Sequence, residues 1–192
     1  MAKPTKAAST LGYALLGLLA REPLSGYDIA LIMKERIRYF WSAQHSQIYP
    51  ELAKLEEDGL VAHEVEKTPG RPDKKVFAIT RRGRGVLARW VEEPFARSPT
   101  RDETLLKVYC GMAGDPKVLA LNLDEYATEL EAVVDALEAN RKMLETKFPR
   151  ELESAKGGPF FGWATLNLGI DTTRARAKWA RSIARRLVPK QR

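Results

Sequence analysis

Ser46, Gln47, Tyr49 and Lys54, with Ala53 among them, set the chemical question. At helical spacing they share the face opposite Ile48, Leu52 and Leu55. A helix fits the major groove of a duplex, and a glutamine amide there can pair with adenine through two hydrogen bonds. Tyrosine and serine hydroxyls donate to phosphate, and a helix N-terminus itself favours an anion. Further along, Lys67, Arg71, Lys74, Lys75, Arg81, Arg82, Arg84 and Arg89 are opposed by Asp73 alone. Such a run suits a polyanion backbone, with Arg71, Lys74 and Lys75 on a loop tip that can reach phosphate or the minor groove. On its own it also reads as a solvated edge that keeps a strand from aggregating.

Other chemistries find no such grouping. There is no phosphate-binding glycine loop, no HExxH, no G-x-S-x-G and no cluster of His, Asp and Cys, so no enzymatic activity is expected. One cysteine (Cys110) rules out an intrachain disulfide, and a lone cysteine is more often a small apolar residue than a redox sensor. With two histidines beside it, a structural zinc site is not expected, nor any cofactor. No apolar stretch approaches the roughly 20 residues of a membrane span. The run from Leu11 to Ala20 leads into Arg21-Glu22-Pro23 without a small-residue cleavage site, so a cytoplasmic location is expected.

The elements that must position these residues are legible in the periodicity. Leu11, Leu15, Leu18 and Leu19 mark a first helix; Ser25 caps a second, carrying Ile29, Ile32, Met33 and Ile37. Pro50 belongs in a first helical turn, which places the start of the third helix near Ser46 or Gln47, and Gly59 suits its C-terminal cap. Val61, His63 and Val65 then alternate as a strand, residues 68–73 have turn composition, and Lys75 to Thr80 form a second strand with Phe77 and Ile79 inward. Thr80 caps a fourth helix with the stripe Val86, Leu87, Trp90 and Val91. The expected fold is mainly α with a small β-hairpin: a winged helix-turn-helix over 9–93, a linker over 94–101 and a helical, coiled-coil-like domain over 102–188.

In that second domain Asp115-Pro116 opens a long helix. Its seam is Leu119, Leu123, Tyr126, Leu130, Val133, Leu137, Asn140 and Leu144. Asn140 would fix register or drift to solvent. The last helix repeats the period with Trp163, Leu166, Ile170, Thr173, Ala177, Ala180, Ala184 and Leu187. An antiparallel hairpin within one chain would satisfy both seams; so would a second chain. Two reading heads on a palindromic site favour the second, with Leu119, Leu123, Tyr126, Leu130, Leu166, Ile170, Ala177, Ala180 and Leu187 at a homodimer interface. The acidic long helix and the basic last helix are expected to pair between protomers.

Residues 11–19 (LGYALLGLL) and 23–29 (PLSGYDI) resemble the start of PadR-family transcriptional regulators. Residues 46–61 (SQIYPELAKLEEDGLV) are the most specific match, and 70–83 (GRPDKKVFAITRRG) look like the family's wing. Many members carry two aromatics in the second wing strand, where Val76-Phe77 stands here, a packing variation. The linker and long helices resemble the larger, virulence-activator-like branch. The resemblance implies a dimer that binds double-stranded DNA at an inverted-repeat operator and represses, with Gln47, Tyr49, Arg71, Lys74 and Lys75 as contacts. It also implies a small, often aromatic effector, for which Phe160, Phe161, Trp163 and Trp179 are candidate linings. A winged helix that binds protein rather than DNA is the alternative reading.

Overall fold

In the computed structural model, residues 7–37, 39–41, 44–67, 73–95 and 101–188 are described. The chain divides into two compact units, Met1–Ala96 and Arg97–Arg192. In the first, α1 (Thr10–Leu19) opens with Ser9, whose Oγ accepts from the Gly12 N–H at 2.9 Å. Ser25 caps α2 (Gly26–Ile32), which runs on as a π-helical turn over Met33–Ile37. The Ser25 and Asp28 side chains each accept from the other's backbone N–H, a reciprocal cap.

The third helix, α3, spans His45–Glu57, one residue ahead of the expected start. Gln47 Oε1 accepts from the Gln44 N–H at 3.2 Å and stabilises that earlier opening. Pro50 therefore stands in the second turn, and the Ser46 carbonyl receives no bond from it. Gly59 ends the helix with φ 66°, the left-handed conformation that its lack of a Cβ permits.

The sheet has three strands rather than two. β2 (Val61–Glu66) and β3 (Lys74–Ile79) pair antiparallel from Val61 opposite Ile79 to Glu66 opposite Lys74. The short strand β1 (Leu24–Ser25) joins the other edge of β3, with Leu24 opposite Phe77. Two residues are too few to show alternation, so this strand leaves no periodic mark. Val61 is buried, His63 half-buried and Val65 exposed, because β2 runs outward past the core. Thr80 Oγ1 caps α4 (Arg81–Glu92) by accepting from Gly83 N–H. Val86 of its stripe is buried, Leu87 and Trp90 pack at the core edge, and Val91 is exposed. The core gathers Leu15, Leu16, Leu19, Ile29, Ile48, Leu52, Leu55 and Leu60, each at 2% exposure or less. Burying a side chain of this size contributes about 1.5–3 kcal/mol, so these residues hold α3 at a fixed depth.

The second unit is built on two long helices, α6 (Pro116–Lys147) and α8 (Gly157–Leu187). Before them come α5 (Glu103–Tyr109) and a 3₁₀ turn, Gly111–Ala113; α7 (Pro149–Glu153) lies between them. Asp115 caps α6 and Pro116 takes its first position, as its chemistry favours. Glu145 meets Trp163, Arg141 meets Asn167, Glu138 meets Arg174 and Glu131 meets Arg181, so α6 and α8 pack antiparallel.

This hairpin satisfies both seams within one chain, the arrangement that stood as the alternative to the expected inter-chain pairing. Leu123, Leu166, Ile170, Ala177 and Ala180 are buried by their own chain, and Leu119, Tyr126, Leu130 and Leu187 flank them half-buried. The α8 stripe falls where its period puts it. The α6 stripe is turned by one residue: Ala120, Leu123, Ala127, Val134 and Leu137 are the buried positions, while Val133 is exposed. Alanines facing Ala180 and Ala184 let the helices approach closely, and that outweighs the larger side chains at 119 and 126. Arg141, not Asn140, makes a polar tie across the pair at this level, donating to Asn167 Oδ1 at 3.3 Å. The acidic–basic pairing is likewise internal, with Arg181 bridging Asp124 and Glu131 and Arg174 meeting Glu138.

Candidate nucleic-acid interface

The outward face of α3 is free of its own core. Ser46, Gln47, Tyr49, Ala53 and Lys54 are all exposed, while Ile48, Leu52 and Leu55 beneath them are at 1% exposure or less. The tyrosine ring sits 5.6 Å from the ring of His45, one turn earlier. The Gln47 carboxamide is turned back onto the Gln44 N–H, so pairing with adenine requires it to swing outward.

Three polar ties hold this helix and the sheet in place. Ser9 donates to Glu51 at 2.5 Å, joining the start of α1 to α3. Glu56 Oε1 accepts from the His63 backbone N–H at 3.1 Å and lies 2.6 Å from His63 Nδ1, joining the end of α3 to β2. Asp28 pairs with Lys74 at 3.0 Å, joining α2 to the first residue of β3. The Ser25 hydroxyl, which donates to Asp28 at 2.7 Å, and then Lys74 hold that carboxyl below the usual carboxylate range.

The cations are not equivalent. Lys75 is exposed with no ion pair among the described residues, as are Arg81 and Arg82. Lys74 is held by Asp28, and Arg84 donates to the Ala20 carbonyl at the end of α1. Arg71 lies outside the described residues, as do residues 68–70 and 72 of the same loop. Nothing in the sequence marks Asp28, Glu56 or His63 as a tie between elements. The one local signal was the Ser25-x-x-Asp28 spacing of a capping box.

The four aromatic residues named as an effector lining are not brought together. Phe160 lies 5.5 Å from Phe161 and 6.1 Å from Trp163 between ring centroids. Trp163 donates to Glu145 at 3.0 Å. Trp179 stands sixteen residues further along α8, about 24 Å at 1.5 Å per residue, and packs beside Ala120, Leu123 and Ala127. Near that end Asp102 caps α5 through the Leu105 N–H and pairs with Arg176. The Leu105 amide first and then Arg176 keep its carboxyl below the usual range. Cys110 is exposed. Among the described residues no three His, Cys, Asp or Glu converge, and no helix is long and apolar enough to cross a membrane.

Residues 15–89 match the family model described as "Transcriptional regulator PadR-like family", and residues 100–187 match "Virulence activator alpha C-term". The negative transcriptional regulator PadR of Bacillus subtilis (strain 168) is 31% identical over 180 residues, covering 90% of this chain and 94% of that protein. The crystal structure of Bacillus subtilis PadR in complex with operator DNA is similar at a TM-score of 0.78 and 27% identity. It covers 93% of this chain and 99% of that one. The crystal structure of the same protein with p-coumaric acid is similar at a TM-score of 0.73 and 28% identity, over 93% and 99% of the two chains.

Proposed function

The chain belongs to the PadR-like family of transcriptional regulators, and from that premise we propose that it is a dimeric, cytoplasmic, non-enzymatic repressor of an inverted-repeat operator, released by a small aromatic molecule. One observation carries the reading: the polar face of α3 stands exposed above a buried apolar face, and β3 of the same unit carries the exposed Lys75. Ser46, Gln47, Tyr49 and Lys54 then meet the groove and its phosphates, and Arg71, Lys74 and Lys75 meet the adjacent backbone. The reading head is the 9–93 segment and the association domain 102–188, joined by 94–101. Leu105, Leu106, Tyr109, Met112 and Leu121 are among the exposed apolar side chains of the second unit that a second copy would bury.

Sequencing the duplex fragments that the purified protein retains tests this directly. The expected result is an inverted repeat whose affinity falls steeply with salt. If no duplex is retained at low salt, the DNA reading fails and the protein-interaction module takes its place. Tyr49→Ala should weaken operator binding while sedimentation still reports a dimer. For the effector, Phe160, Phe161 and Trp163 are the three that cluster, and the relative crystallised with p-coumaric acid supports an aromatic ligand class.

A further inference from the structure

Tyr49 is held by a residue that has no side chain. Gly26 is the first residue of α2, and its backbone is set by the Ser25–Asp28 cap. Its φ is not positive, in contrast to Gly59 and Gly157, so backbone conformation alone would admit any residue. Space would not. A Cβ on residue 26 would meet Tyr49 Cε1 at 2.5 Å, Cζ at 2.8 Å and Oη at 3.0 Å. The three nearest atoms all belong to one phenol, so the ring fills the volume that a side chain at 26 would take. On the same helix, the His45 ring lies 5.6 Å from the tyrosine ring and tilted by 60°. Tyr49 is nonetheless 47% exposed, and Gly26 is buried.

We propose that Gly26 is a positioning residue for Tyr49. The gap it leaves on α2 seats the phenol and presents its hydroxyl in one orientation before any duplex arrives. A side chain ordered in advance loses less freedom on binding, so the seat acts on affinity rather than on stability. This rests on Tyr49 being a DNA contact, as proposed above.

The experiment compares full-length wild type, Gly26→Ala, Tyr49→Ala and the double variant for operator affinity and thermal midpoint. Gly26→Ala should weaken binding about tenfold or more, the scale of one hydrogen bond to a charged group. The double variant should bind no worse than Tyr49→Ala alone. If Tyr49→Ala binds as wild type, the contact itself is wrong and the proposal falls with it. If Tyr49→Ala is weak but Gly26→Ala is unchanged, the contact stands and the positioning role is overturned. Additive losses in the double variant also overturn it, since Gly26 would then act elsewhere. Should Gly26→Ala lower the thermal midpoint, adding Tyr49→Ala should restore it by removing the clash; no restoration counts against the seat.

Discussion

The two units carry nearly the same net charge and use it in opposite ways. The first 95 residues hold 15 basic and 12 acidic groups, the remainder 17 and 13. In the hairpin, Arg174, Arg176 and Arg181 are engaged with Glu138, Asp102, Asp124 and Glu131 of the same chain. In the reading head, Lys75, Arg81 and Arg82 stand exposed without ion pairs among the described residues. Total charge therefore says little about where a polyanion binds; the unneutralised part does. Arg174, Arg176 and Arg181 help build the hairpin's fold, whereas Lys75, Arg81 and Arg82 are available for a partner.

The largest test of that contrast removes hairpin packing. Ile170 is fully buried, so Ile170→Ala should cost about 2–5 kcal/mol in chemical denaturation. The salt dependence of operator binding should keep its slope, because no cation changes. An altered slope would join what the comparison separates. Next comes Ser25→Ala, which removes the α2 cap at 3.2 Å and should cost about 0.5–2 kcal/mol in the urea midpoint.

A matched pair of charge removals is sharper. Lys75→Ala should flatten the log–log salt slope by about 0.9, with the thermal midpoint little changed. Arg181→Ala should do the reverse, lowering the midpoint and leaving the slope alone. If both variants act alike, cations in the two units are not different in kind. The smallest effect is a pH one. Asp28 titrates below its ordinary value in the folded chain, through the Ser25 hydroxyl and then Lys74. Its contribution is present above the unfolded value of about 3.9 and is lost as pH falls through the lower folded value. Asp28→Asn should remove that part of the acid dependence, read as a urea midpoint that falls less between neutral pH and the acid limb.

What the sequence disclosed was local. The caps Ser25, Thr80 and Asp115, the left-handed Gly59 and the α8 stripe each depend on a few neighbouring residues, and each stands where expected. The α6 stripe was legible as a period but not as a phase. Two seams at 3.5-residue spacing share Leu123 and Leu137, and the choice between them depends on how near α8 can come. The ties at the candidate interface were beyond reach for a related reason. Asp28 and Lys74 are 46 positions apart, and nothing about either residue type selects the other until β3 lies across α2. Tyr49's place on the outward face of α3 was legible, whereas its approach to Gly26 needed both helices in place.

The Asp28–Lys74 pair also bears on how binding should respond to salt. An exposed lysine that meets a phosphate frees small ions from the duplex and leaves no anion of its own behind. Lys74 already has a resident anion, fixed by a 2.7 Å hydrogen bond from Ser25 and unable to diffuse away. A phosphate arriving there must either share the ammonium with Asp28 or leave a carboxylate without its cation. Lys74 then acts as a half-neutralised site, and the measured slope should be shallower than a census of wing lysines and arginines suggests.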